Sequence, residues 1–142
     1  MSLVPPALRS ALTLLHCRMG KRNSSHCELA PVTCRVVESM KEVVGEWRGL
    51  PIQGEAEFLV LQPGTRLTRH CGVTNRRLTA HLGLVTPVGP VIQVGNVSKT
   101  WEQGKVLLFD DSFEHEVWHN GTEPRGVLYV SVWHPNLWPE VV

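Results

Sequence analysis

An excess of charge of either sign is the first thing this chain lacks: fourteen Lys and Arg stand against thirteen Asp and Glu, a formal net charge of +1. Bulk charge therefore supports neither a groove that tracks phosphates nor a funnel for acidic substrates, and no nucleic-acid partner is expected. Cysteine is scarce as well. Four in 142 residues, none in C-x-x-C spacing, exclude a disulfide-dense mini-protein and a structural zinc. No basic segment precedes the apolar stretch Met1 to Cys17, which Pro5, Pro6 and Arg9 interrupt, so it makes a poor secretory signal. Residues 78–98 hold no Asp, Glu, Lys or Arg, yet Thr79, His81, Thr86, Gln93, Asn96 and Ser98 with Pro87 and Pro90 would leave a bilayer-spanning helix too many unsatisfied polar groups. No membrane span is expected in this chain. Internal repeats and low-complexity linkers are lacking too.

What is present is enough for a packed interior. With 42% apolar and 19% charged residues the chain can bury a core, and its length suits one domain. Residues 1–26 read as an N-terminal segment and 27–142 as the domain. From Thr33 onward, Val36, Val37, Met40, Val43, Val44 and Trp47 form the stripe of one amphipathic helix, opened near Pro31 and closed by Gly49 and Pro51. Everything after it reads as β: Ala56–Leu61, Leu78–Val85, Val91–Val94, Lys105–Phe109, His115–Trp118 and Gly126–Trp133, bounded by Gly, Pro, Asn or Asp. In the second of these runs Leu78, Ala80, Leu82 and Leu84 alternate with Thr79, His81 and Gly83, so one face carries Thr79 and His81 together. A helix followed by about six short strands predicts a mainly β fold: sandwich, jelly roll or small barrel.

Asn23-Ser24-Ser25, Asn96-Val97-Ser98 and Asn120-Gly121-Thr122 fit the N-glycosylation acceptor pattern, which is common by chance. Cys27 and Cys34 flank Pro31 and are either bridged in an oxidising lumen or two free thiols; compartment decides.

Seven histidines are present. His70, in Arg69-His70-Cys71-Gly72, and His115, in Glu114-His115-Glu116-Val117-Trp118, stand out by context, and Arg125 opens the last long strand. Imidazoles suit iron, copper, nickel and zinc, and an inward Arg can fork two N–H bonds to a carboxylate held against a metal. Cys71 and Asp110-Asp111 could each ligate metal, but a free buried thiol is expected at Cys71 and a turn at Asp110-Asp111, with core or edge packing for Trp118, Trp133 and Trp138 and a strand-end cap at His134.

Pro63-Gly64-Thr65, His70 to Asn75, His81-Leu82-Gly83-Leu84-Val85, the block Trp101 to Trp118 and Val132-Trp133-His134-Pro135 together resemble the aspartyl/asparaginyl β-hydroxylase family from about Cys27 to Leu137. Leu12–Asn23 looks, more loosely, like the strand that precedes this region in the family. The resemblance implies a double-stranded β-helix (jelly roll, cupin-like) that binds Fe(II) and 2-oxoglutarate and hydroxylates the β-carbon of Asp or Asn in a protein or peptide substrate. It places the metal ligands at His70 and His115, the clamp on the distal cosubstrate carboxylate at Arg125, and a contact to the other carboxylate at His81. Most 2-oxoglutarate oxygenases add an acidic ligand two residues after the first His; in this family that position is not acidic, and here it is Gly72. It also implies a membrane of the endoplasmic reticulum or secretory pathway if an anchor is missing from this chain, and the cytoplasm otherwise.

Two positions depart from the family pattern. Thr79 stands where an Arg is usual and Leu59 where a small hydroxyl residue is usual, both normally gripping carboxylates. Hydrogen bonds to charged groups are worth about 1.5–3 kcal/mol each, so losing two costs roughly two to four decades in affinity. Arg77, on the strand face of Thr79, is the candidate substitute. The readings are thus a dioxygenase, a weakened or inactive member acting as a binding or adaptor module, or a cupin-like metal isomerase or hydrolase on the same architecture.

Overall fold

A computed structural model describes residues 11–16, 21–43 and 55–137. The elements are β1 (Ala11–His16), β2 (Lys21–Arg22), α1 (Ser24–Leu29), α2 (Pro31–Ser39), β3 (Ala56–Leu61), β4 (Arg66–His70), β5 (Arg77–Val85), β6 (Pro90–Val94), β7 (Val97–Lys99), β8 (Val106–Phe109), β9 (His115–His119) and β10 (Arg125–Trp133), followed by a 3-10 turn, Pro135–Leu137. Two antiparallel sheets face each other: a large one ordered β2-β1-β3-β10-β5-β8 and a small one ordered β4-β9-β6-β7. This is the mainly β, jelly-roll architecture the sequence predicts. Among the described residues no helix is long and apolar enough to cross a membrane.

Alternation decides what lies between the sheets. Along β5 the buried positions are Arg77, Thr79, His81 and Gly83, and along β10 they are Arg125, Val127, Tyr129, Ser131 and Trp133. Leu61 and Val127 of the large sheet meet Ile92 and Val117 of the small one around Trp101, a dry cluster that seals one part of the interior. The other part is polar. The outer face of β3 and β10 is covered by the helices and the segment that follows them: Cys27 and Cys34 pack on Phe58 and Leu128, and Val37 and Val43 on Ala56 and Val130. Cys27 and Cys34 are bridged, with Cα atoms 5.7 Å apart.

Three sequence expectations need correction. The helical stripe ends at Ser39, because Met40 is already extended (φ −86°, ψ 113°) and Val43 forms a β-bridge with Val132. Valines suit either state, and pairing with a strand that buries them prevails; Val44, Trp47, Gly49 and Pro51 lie outside the described residues. A separate short helix, α1, precedes it. Its cap is Asn23, whose Oδ1 accepts from the His26 amide (3.2 Å) and the Ser25 hydroxyl (2.9 Å). Finally, the described residues after α2 form eight strands rather than about six, β4 and β7 being additional, while β1 falls where the resemblance places a preceding strand. β4, Arg66-Leu67-Thr68-Arg69-His70, is a charged edge strand with one apolar residue, so it gives no hydrophobic alternation to read.

Candidate active site

His70 and His115 are brought face to face by an irregularity. β4 and β9 pair Arg66 with Trp118 and Leu67 with Val117, a register that would set Arg69 against His115. One extra residue in β4 shifts it, so that His70 opposes His115 instead. The two imidazole centroids are 4.2 Å apart. Each ring is held the same way: His70 Nδ1–H donates to the Thr68 carbonyl (2.7 Å) and His115 Nδ1–H to the Phe113 carbonyl (2.9 Å). A carbonyl only accepts, so the neutral form of each ring keeps its Nε2 lone pair for another partner. His115 is buried and His70 opens to solvent.

From His115 the interior continues as a chain of ring contacts. Phe109 lies 5.6 Å from His115, and His81 5.4 Å from Phe109. His81 Nδ1 accepts from the Trp101 indole N–H at 3.1 Å, which leaves its Nε2–H as a donor into the interior. Burial first, then the charges of Arg125 and His115, lower the His81 pKa to about 3, so this ring is neutral at physiological pH. Trp101 reaches this place because Gly83 lets the 101–105 loop press on β5; a Cβ at Gly83 would collide with the Glu102 backbone. Beyond Trp101 sits Arg125, its guanidinium carbon 4.3 Å from the indole centroid. Arg125 is 4% exposed, and its Nε has no hydrogen-bond partner among the described residues. Burial lowers its pKa to about 10, which still leaves a cation at neutral pH.

The neighbouring polar group surrounds Arg77. Its guanidinium donates to Ser131 Oγ (3.4 Å) and lies 3.7 Å from Asp111 Oδ2, while Tyr129 and Ser131 share a hydrogen bond of 3.2 Å. Asp111 explains Gly72: a Cβ at position 72 would sit 2.6 Å from the Asp111 carboxyl, and the Gly72 amide donates to the Asp111 carbonyl at 2.6 Å. The acid therefore stands beside the position two residues after His70, delivered from a different strand connection. Among the described residues no group of three or more His, Cys, Asp or Glu converges as a metal cage.

The remaining predicted residues separate cleanly. Thr79 is fully buried on the interior face, and Leu59, opposite Val127, packs on the dry cluster. Cys71 is free, as expected, but exposed rather than buried, because it leaves β4 on the open side of the site. Asp110 forms the expected turn, accepting from the Ser112 amide and hydroxyl at 2.9 and 2.7 Å. His134 Nδ1 accepts from the Asn136 amide at the end of β10 (3.2 Å). Trp133 is core, Trp118 lies on the outer face of the small sheet, and Trp138 is outside the described residues. Trp101 is the site residue that sequence reasoning passed over, and Asp111, weighed there as a metal ligand or a turn residue, is buried as the partner of Arg77 instead.

The aspartyl/asparaginyl beta-hydroxylase profile matches residues 12–135. The chain belongs to this family. The human aspartyl/asparaginyl beta-hydroxylase is 46% identical over 124 residues, 87% of this chain and 16% of that protein. Human aspartate beta-hydroxylase domain-containing protein 2 is 42% identical over 115 residues, 79% of this chain and 30% of that protein. For human domain-containing protein 1 the figures are 38% over 136 residues, 94% and 34%. This beta-hydroxylase family member thus spans about a sixth to a third of the length of those curated relatives. Among solved structures, the cupin domain of Schizosaccharomyces pombe Cnp3 superposes with a TM-score of 0.48 at 10% identity, over 61% of this chain and 57% of that one.

Proposed function

We propose that this chain is an Fe(II)- and 2-oxoglutarate-dependent dioxygenase that hydroxylates the β-carbon of Asp or Asn in a protein substrate. One observation carries the reading: two opposed imidazoles, each with one ring nitrogen held by a backbone carbonyl, share an interior with a buried guanidinium that has no ion pair among the described residues. The donor set fits the metal. Two neutral imidazoles suit a borderline ion such as iron, and a centre with few protein ligands leaves positions for cosubstrate and O₂. When bound, the iron lets O₂ oxidise both partners at once, converting 2-oxoglutarate to succinate and CO₂ and a C–H bond of the substrate to C–OH.

The chain's own residues have separate tasks. His70 and His115 would hold the metal, with the Thr68 and Phe113 carbonyls fixing both ring orientations. Arg125 would receive the far carboxylate of the cosubstrate, the anion its buried charge requires. His81, kept neutral, would donate Nε2–H toward the nearer carboxylate. Asp111, beside Gly72 and 3.7 Å from Arg77, would anchor that guanidinium, and Arg77 would offer the cation that Thr79 does not. The dry cluster around Trp101 excludes water from the deep end.

The decisive measurement is 2-oxoglutarate decarboxylation by iron-loaded protein, with calorimetry of the Mn(II)-loaded protein and 2-oxoglutarate beside it. Micromolar binding and turnover that His115→Ala abolishes are expected. Turnover unchanged in His115→Ala overturns the assignment. No heat up to millimolar cosubstrate favours the adaptor reading that Leu59 and Thr79 suggest.

A further inference from the structure

The outer face of the small sheet carries a cleft that the proposed chemistry does not use. Its volume is about 430 Å³, within the range of small-ligand sites, and its lining is Gly64, Thr65, Arg66, Glu116, Trp118 and Asn120. Thr65 is 5% exposed, yet its hydroxyl has no hydrogen-bond partner among the described residues. Buried hydroxyls are rarely left so. Glu116 is held by Arg66 (3.3 Å) and Arg69 (3.2 Å), which gives the cleft a charged wall. Glu116, Trp118 and Asn120 follow one another at every second residue, the spacing that puts side chains on one side of a strand.

Asn120 opens the acceptor tripeptide Asn120-Gly121-Thr122, and both Asn120 and Thr122 are exposed in the β9–β10 connection. The backbone there is pinned. The wholly buried His119 accepts from the Gly121 amide (3.1 Å) and donates to the Glu123 carbonyl (2.8 Å), its own carbonyl accepts from the Gly64 amide (2.8 Å), and the Asn120 amide donates to the Gly89 carbonyl (3.3 Å). The other two acceptors are less well placed: Asn96 lies on the exposed β6–β7 hairpin in a cleft lined mainly by charged and polar side chains and no indole, and Asn23 is engaged as the cap of α1.

We propose that Asn120 is an N-glycosylation site whose first sugar seats in this cleft. The bond formed joins Asn120 Nδ2 to the anomeric carbon of an N-acetylhexosamine. The bond broken joins that carbon to the pyrophosphate of a lipid-linked oligosaccharide, and the Nδ2 proton leaves to a base, with no change of oxidation state. The C–H face of the sugar lies on the Trp118 indole, and its hydroxyl and acetamide groups meet Thr65 Oγ1, Arg66 and Glu116. The modification needs an oxidising lumen, where the Cys27–Cys34 bridge of this fold persists.

The test directs the full chain into the secretory pathway of cultured mammalian cells and maps its glycopeptides by mass spectrometry, secreted and retained material alike. Glycan on the Asn120 peptide is expected, lost in Asn120→Gln and in Thr122→Ala and kept in Asn96→Gln. An unmodified Asn120 in chain whose Cys27–Cys34 bridge has formed overturns the proposal. Seating is tested separately. Protein trimmed to a single N-acetylglucosamine should melt roughly 2–4 °C above Asn120→Gln, the shift that about 1 kcal/mol produces in a chain of this size. In the Trp118→Ala background that difference should vanish. Equal melting temperatures with Trp118 intact refute the seated sugar.

Discussion

Two arginines point inward from opposite ends of the β5–β10 pair, and they are buried almost equally: Arg77 is 6% exposed and Arg125 4%. Their surroundings differ. Arg77 has Asp111 at 3.7 Å and the Ser131 hydroxyl at 3.4 Å. Arg125 has the face of Trp101 and, among the described residues, no ion pair. A buried cation with its carboxylate is part of the frame. One without pays a desolvation penalty that a bound anion would offset. The same contrast separates the histidines: His119 uses both ring nitrogens on backbone groups, whereas His70 and His115 each use one.

The largest effect expected from this difference is a pH dependence. His81 has a pKa of about 3 in the fold, against the ordinary 6.5, from burial and then from Arg125 and His115. Between those values the unfolded chain binds the extra proton, so stability is complete above about pH 6.5 and falls by about 5 kcal/mol on acidification toward pH 3. Chemical denaturation across that range measures it, and Arg125→Met should shrink the loss by removing one of the two charges. Next come the arginines themselves. Arg77→Met should destabilise by about 3–5 kcal/mol, because Asp111 is then buried without its cation. Arg125→Met should leave stability equal or higher while weakening 2-oxoglutarate binding by at least two decades. Calorimetry and denaturant melts on both variants check this, and equal destabilisation by the two would erase the distinction.

A smaller effect serves as a control away from both arginines. Reducing the Cys27–Cys34 bridge, which closes a separation of seven residues on the outer face, should cost about 2–3 kcal/mol and leave cosubstrate affinity unchanged. Smallest is Leu59→Ser. A hydroxyl there should tighten cosubstrate binding about tenfold, one charge-assisted hydrogen bond, at some loss of packing against the dry cluster. No gain in calorimetry would mean that Leu59 does not face the ligand.

Much of this was legible along the chain. Thr79 and His81 share a face because a strand has a period of two, and the structure buries that face. Ala56–Leu61 is apolar and β-forming enough to be bounded correctly. The signal failed where local preference and tertiary context diverge. Val43 fits a helical stripe, yet pairs with Val132. β4 looks like a polar loop until β9 supplies its ladder. Asp110 and Asp111 read alike as turn residues, and only the fold assigns one to the turn and buries the other beside Gly72 and Arg77.

The order of residues alone determined the strand periodicity, the apolar core and the wording that marks the family, because these depend on neighbours close in sequence. The three-dimensional packing alone decided which residue meets which. A single extra residue in β4 sets His70, and not Arg69, against His115. The close approach at Gly83 slides Trp101 between His81 and Arg125. A register shift and a backbone contact join segments far apart along the chain, so no local pattern of side chains encodes them.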